Sequence, residues 1–166
     1  MAIIIGNLCN FLAMLANAFS STRKTAKDIL RVQNLSQLIY FISAIVLRGY
    51  SAAVQNLVSM LRNISAIRNI KSKAVEWGLT AAGVILGIAF NNRGWMGLLP
   101  VLGNLQYTLA VFRAKDNDRL LKLSFLISTA AYIAYNFVIS NYVGVASDSI
   151  VFITTAVFLL KGKKMR

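Results

Sequence analysis

The sequence predicts an all-α polytopic membrane protein: seven transmembrane helices in two parallel three-helix repeats joined by a linker helix. Three observations predict it. The chain divides into seven apolar stretches of bilayer-crossing length, its positive charge gathers on alternate connections between them, and its two ends share a motif and a helix order. A hydrophobic share of 57% and a mean hydropathy of +0.63 are well above the balance of a soluble domain.

The stretches fall at about 2–20, 32–47, 50–67, 75–90, 95–112, 120–139 and 143–160. At about 1.5 Å rise per residue each is just long enough to cross a hydrocarbon core of roughly 30 Å. Polar residues inside them fall in stripes, and lipid-facing positions could not satisfy such groups. On helix 1, Asn7, Asn10 and Asn17 lie within about 80° of one another at 100° per residue. Helix 1 has no basic segment before its apolar run, so it is expected to be retained and not cleaved as a signal peptide. Helix 2 gathers Gln33, Ser36, Gln37 and Tyr40 on one side, and helix 3 stacks Asn56, Ser59, Arg62 and Asn63. Arg62 is about 9 Å from the end of helix 3, within snorkelling reach of the interface.

Helix 4 differs. It carries Gly78, Gly83 and Gly87, the last two in small-xxx-small spacing, and almost no polar side chain, which is the composition of a packing linker. Trp77 and Trp95 fall near opposite boundaries, where aromatic anchors are common. Helix 5 has Pro100 near its start, compatible with a first-turn position or a kink, followed by Asn104 and Tyr107. Ser124, Ser128, Tyr132 and Tyr135 stack on helix 6 with Asn136 alongside, and helix 7 presents Asp148 and Thr155. Asp148 is the one carboxylate well inside a predicted span, too short to snorkel, so it needs a partner within the bundle or a proton.

The halves correspond. Ile5-Gly6-Asn7-Leu8 recurs as Leu102-Gly103-Asn104-Leu105 at an offset of 97; helices 2 and 3 run parallel to helices 6 and 7 at offsets of 88 and then 92. Residues 1–70 thus form the first unit, 71–94 the linker and 95–166 the second unit with a basic tail. An odd linker is required, because two triplets in direct succession would be inverted. Parallel repeats about an axis along the membrane normal are a known transporter plan, with the site between the repeats.

Of the 18 Lys and Arg, fifteen fall on one side: Arg23, Lys24, Lys27 and Arg31; Arg68, Lys71 and Lys73; Arg113, Lys115, Arg119 and Lys122; Lys161, Lys163, Lys164 and Arg166. Arg48 and Arg93 are alone on the other. The positive-inside rule then sets the N-terminus outside and the C-terminus in the cytoplasm. A reporter active only outside the cytoplasm is expected to be silent when fused after Arg166 and active around Asn141; the reverse pair of signals would overturn the orientation. Charge clustered at helix ends, with no basic face on a soluble scaffold, argues against nucleic acid as a partner despite the net +13. With no His and a single Cys9, the sequence excludes a disulfide and the usual Cys/His metal sites, and no cofactor is expected. No nucleophile, base and orienting group recur at workable spacing, so an enzyme is not expected.

The run Leu98-Leu99-Pro100-Val101-Leu102-Gly103-Asn104, its continuation to Phe112-Arg113, and helix 3 ending in Leu61-Arg62 resemble the bacterial YgjV-type inner-membrane proteins over nearly the whole chain. The resemblance implies the bacterial inner membrane. The three-plus-one-plus-three plan in turn resembles the SWEET and PQ-loop sugar and amino-acid transporters, in which Asn residues on helices 3 and 7 line the substrate site. Asn56 and Asp148 stand at comparable places. The chain departs from those transporters in having no Pro-Gln pair, and of their hinge prolines only Pro100 has a counterpart. The expected function is a small-solute carrier whose site lies between the repeats, lined by Asn7, Asn10, Asn56, Asn104, Tyr107, Tyr132, Asn136 and Asp148, with Asp148 the candidate for proton coupling. The competing expectation is a non-transporting scaffold or accessory subunit whose polar seams only hold helices together. The lipid bilayer and a small solute are the expected partners, with a homo-oligomer left open.

Overall fold

The computed structural model describes residues 1–20, 26–70, 72–114 and 118–161. Among these residues the fold is all-α: α1 (Ala2–Ser20), α2 (Ala26–Val46), α3 (Tyr50–Ile67), α4 (Lys73–Ala89), a 3-10 turn (Gly94–Leu98), α5 (Leu99–Ala114), α6 (Asp118–Val138) and α7 (Tyr142–Lys161), with no strand. Of the basic residues named above, Arg23, Lys24, Lys71, Lys115, Lys163, Lys164 and Arg166 lie outside the described residues.

Two boundaries differ from the sequence reading for local reasons. α2 begins at Ala26, six residues before its apolar run, because Lys27, Asp28 and Arg31 are compatible with helix and Arg31 donates to Asp28 one turn back at 3.1 Å. The fifth element is not one helix. Its first residues, Gly94–Leu98, form the 3-10 turn, and Pro100 is the second residue of α5. A first-turn proline lacks only an N–H that would have no intrahelical partner, so it starts the helix and introduces no kink.

Helices consecutive in the chain pack on one another throughout. The five residues between α1 and α2 reach about 20 Å at full extension, less than the roughly 28 Å length of α1, so the two must be antiparallel. The same argument applies along the chain. The α1–α2, α3–α4 and α5–α6 connections therefore share one end of the bundle, the loop end, and the α2–α3, α4–α5 and α6–α7 connections share the other, the turn end. Two groups result, α1–α2–α3 and α5–α6–α7, meeting where α1 packs on α7 and α3 on α5, while α4 lies against α3 and α5. Small residues permit the close crossings. Gly6 passes so near α2 that Ser43 Oγ donates to its carbonyl at 2.7 Å, and a Cβ there would run into Leu47. On α4, Gly83 and Gly87 are buried and face Gln55, Val58 and Val101.

The usual distribution of polarity is inverted. Buried positions include Asn10, Ser36, Ser43, Gln55, Asn104, Ser124, Ser128, Asn136 and Asn141, whereas Ile4, Leu8, Leu12, Ile85, Leu102, Ile127, Phe137, Ile150 and Ile153 are exposed. One apolar cluster is buried, at the turn end: Ala44, Leu47, Ala52, Ala53, Tyr135 and Ile139, with Phe41 and Leu99 against it. By length and hydropathy, α1 alone, over Ala2–Phe19 at a mean hydropathy of 1.7, passes as a membrane span among the described residues, and Tyr142–Val157 is a shorter apolar stretch. Three of the other helices fall short for two reasons. α4 and α5 have 17 and 16 residues, and in α3 the polar residues Gln55, Asn56, Arg62 and Asn63 dilute the apolar ones.

Candidate functional site: a polar cavity between the two helix groups

A cavity of about 280 Å³ lies between the two groups. Each of the six helices that make up the groups contributes to it, and α4 contributes nothing. Asn10 and Asn17 come from α1, Gln37 and Tyr40 from α2, Asn56 and Ser59 from α3, Asn104 and Tyr107 from α5, Tyr132 and Asn136 from α6, and Ser147 and Asp148 from α7. The helical period explains the convergence: residues three and four apart share a face, and each pair is oriented by burying the small or polar side of its helix against a neighbour.

The best-ordered wall is on α6 and α7. Asn136 Nδ2 donates to Asp148 Oδ2 at 2.8 Å, Asn141 Nδ2 donates to Asn136 Oδ1 at 2.9 Å, and the Gly144 backbone N–H donates to Asn141 Oδ1 at 3.0 Å. This chain of amides ties the carboxylate to the α6–α7 turn. A Cβ at Gly144 would collide with Asn141 and Asn136, so glycine is what lets α7 approach the network. Opposite, Asn104 Nδ2 donates to Gln55 Oε1 at 2.7 Å, and Gln55 Nε2 donates to the Gly83 carbonyl of α4 at 2.8 Å. Tyr107 and Phe125 close one side with ring centroids 5.5 Å apart.

Seven of the eight sequence-predicted residues line this cavity: Asn10, Asn56, Asn104, Tyr107, Tyr132, Asn136 and Asp148. Asn7 does not. Its Nδ2 donates to the Ser140 carbonyl at 2.9 Å and its Oδ1 accepts from the Val143 N–H at 3.0 Å, so both ends of the amide are used in clasping the α6–α7 turn. The stripe read on α3 also divides. Asn56 and Ser59 face the cavity, while Arg62 and Asn63 face a separate groove against α4 and α5. Sequence reasoning passed over Gln55, Thr129, Asn141 and Ser147. Gln55 was legible, since it lies four residues before Ser59 and seven before Arg62, one face of a helix; Asn141 lies in a turn, where no periodicity marks it.

The bundle is closed at the turn end by the Tyr135 cluster. Ser51 Oγ donates to the Tyr135 hydroxyl at 3.1 Å, which satisfies the phenol that this packing buries. Beyond the cluster a second depression of about 280 Å³ is lined by Leu47, Arg48, Arg93, Ile139 and Ser140 among others. Leu47 and Ile139 belong to the cluster and also line this depression, so the cluster forms its floor.

A polar interior inside an apolar exterior calls for a hydrocarbon surrounding, and the sequence relationships agree. The model of the Imp-YgjV family, described as a bacterial inner membrane protein, matches residues 4–166. The chain belongs to that family. No curated protein and no solved structure matches it significantly. For an Imp-YgjV member, an inner-membrane location accounts for the exposed Ile, Leu and Phe residues, which in water would form apolar patches far beyond those of soluble monomers.

Proposed function

We propose that this inner membrane protein crosses the bilayer seven times, N-terminus outside and C-terminus cytoplasmic, and carries a small solute through the cavity between two parallel three-helix repeats, without enzymatic chemistry or a cofactor. The observation that carries this reading is the cavity itself: polar, lined by every helix of both units, with a buried apolar cluster on its turn-end side. Its volume, near the roughly 300 Å³ lower end of ligand pockets, suits a sugar or an amino acid better than a larger molecule.

Several features support the membrane and repeat components. The groups meet through α1 against α7 and α3 against α5, and exchanging α1 with α5 and α3 with α7 turns the first contact into the second, as a two-fold axis would. Gly6 meets Ser43 as Gly103 meets Ala131, which are the offsets of 97 and 88 read from the sequence. Arg48 and Ser140, 92 apart, both adopt left-handed φ, at 55° and 59°, in the α2–α3 and α6–α7 turns. Trp77 and Trp95, 59% and 69% exposed, suit interfacial anchors.

The scaffold alternative is favoured by one observation. Asn104, Gln55, Asn136 and Asn141 bond to other helices or turns, as packing residues do. A thermal-shift screen of sugars and amino acids in detergent, with each hit followed into proteoliposomes, separates the two. A carrier is expected to gain about 2.7 kcal/mol when a solute is supplied at a hundred times its Kd, and the same solute should enter protein-containing liposomes. A screen in which no solute stabilises the protein or crosses the bilayer would favour the scaffold.

A further inference from the structure

A groove of about 310 Å³ runs between α3, α4 and α5, adjoining the central cavity at Asn104, which lines both. Toward the turn end its walls are mostly aliphatic, with Val58, Leu79, Val84, Val101 and Leu105 beside the mutually bonded Gln55 and Asn104. Toward the loop end it carries one cation and one anion, Arg62 and Glu76. These two are not paired: no ion pair joins them among the described residues, and the Arg62 guanidinium donates only to Thr108 Oγ1, at 3.3 Å. An arginine inside an apolar bundle without a carboxylate is costly unless an anion reaches it. The positions along the helices fit an amphiphile. Arg62 is five residues, about 7.5 Å, from the end of α3, Glu76 is in the first turn of α4, and the aliphatic walls lie deeper.

We propose that this groove holds one phospholipid with a zwitterionic, primary-amine head group, its phosphate on Arg62, its ammonium on Glu76 and an acyl chain between α3, α4 and α5. Charge complementarity selects this occupant over other lipids. An anionic glycerol head group would set a second negative group beside Glu76, and a choline head group has no N–H with which to bond the carboxylate. The planar guanidinium fork suits phosphate oxygens, and Glu76 suits the ammonium. The inference does not depend on whether the central cavity transports anything.

The test is native mass spectrometry of the full-length protein in detergent with equimolar ethanolamine, glycerol and choline phospholipids of identical acyl chains. The wild type is expected to retain one ethanolamine phospholipid per chain in roughly tenfold preference, the size of one charge-assisted hydrogen bond. Glu76→Gln should bring the ethanolamine and glycerol lipids to parity, and Arg62→Gln should reduce retention of all three. Arg68→Gln, exposed and outside the groove, should change nothing. Val84→Phe, which fills the aliphatic part and keeps both charges, should expel the lipid even if Arg62→Gln fails to fold. Equal retention of the three lipids by the wild type, or a preference that survives Glu76→Gln, would overturn the proposal. So would displacement of the lipid by free phosphoethanolamine at equal concentration, which would indicate a site for the head group alone.

Discussion

Replacing Tyr135 by alanine is expected to open the cavity at the turn end, the outer face in the orientation proposed above. Tyr135 is fully buried in the apolar cluster at the turn end, adjacent in sequence to the cavity residue Asn136, and Leu47 and Ile139 of that cluster line the depression beyond it. In a background with Cys9→Ser, a cysteine introduced by Ser147→Cys lines the cavity on α7. A membrane-impermeant maleimide outside right-side-out vesicles should leave it unmodified when Tyr135 is intact and label it once the ring is removed. Truncating a buried aromatic costs about 3 kcal/mol or more, so the variant should also melt earlier in detergent. Tyr135→Phe is the control: it loses the Ser51 hydrogen bond, worth about 1 kcal/mol, but keeps the ring. Labelling indifferent to Tyr135→Ala would mean that the closure lies elsewhere.

Asp148→Asn carries the second large effect. Asp148 is the carboxylate on the cavity wall, and among the described residues Asn136 alone donates to it. A proton moved together with a solute needs a group that can take it up on one side and release it on the other, and a carboxylate on the shared cavity meets that need where the surrounding amides and phenols do not. The Asn variant keeps an oxygen to accept from Asn136, so folding and melting temperature should change little. Uptake driven by an imposed pH gradient across liposomes is expected to fall to background, while exchange of labelled for unlabelled solute without a gradient persists. Gradient-driven uptake that survives in Asp148→Asn would remove Asp148 from the coupling step and leave it a packing acceptor.

The parts legible in the sequence were those that rest on periodicity. Six of the seven apolar runs became single helices and the fifth a 3-10 turn followed by α5, and most of the polar residues at three- and four-residue spacing converged on one cavity. What the sequence hid was how neighbouring helices divide a stripe. Asn56 and Arg62 are about 120° apart on α3, a separation small enough to read as one face, yet α4 and α5 pack on the intervening ridge and send them into different spaces. Asn7 was misread for a related reason. Its register on α1 matches Asn10, but it lies nearer the turn end, where unpaired groups of the α6–α7 turn claim both ends of its amide. The residues that build the cavity also lower the apolarity of the helices that carry most of them, α2, α3, α5 and α6.

That last feature bears on how the protein reaches its membrane. α1, α4 and α7 are the apolar helices, and α2, α3, α5 and α6 the more polar ones. Every polar helix is the immediate chain neighbour of an apolar one, and packs against it. During synthesis a helix such as α2, with Gln33, Asn34 and Gln37, would partition poorly if released to lipid by itself; held beside α1, it can turn those groups toward a partner before meeting hydrocarbon. In the proposed seven-span topology, integration in clusters, α1 with α2, α3 and α5 around α4, α6 with α7, would leave the cavity half assembled before the last helix leaves the insertion machinery.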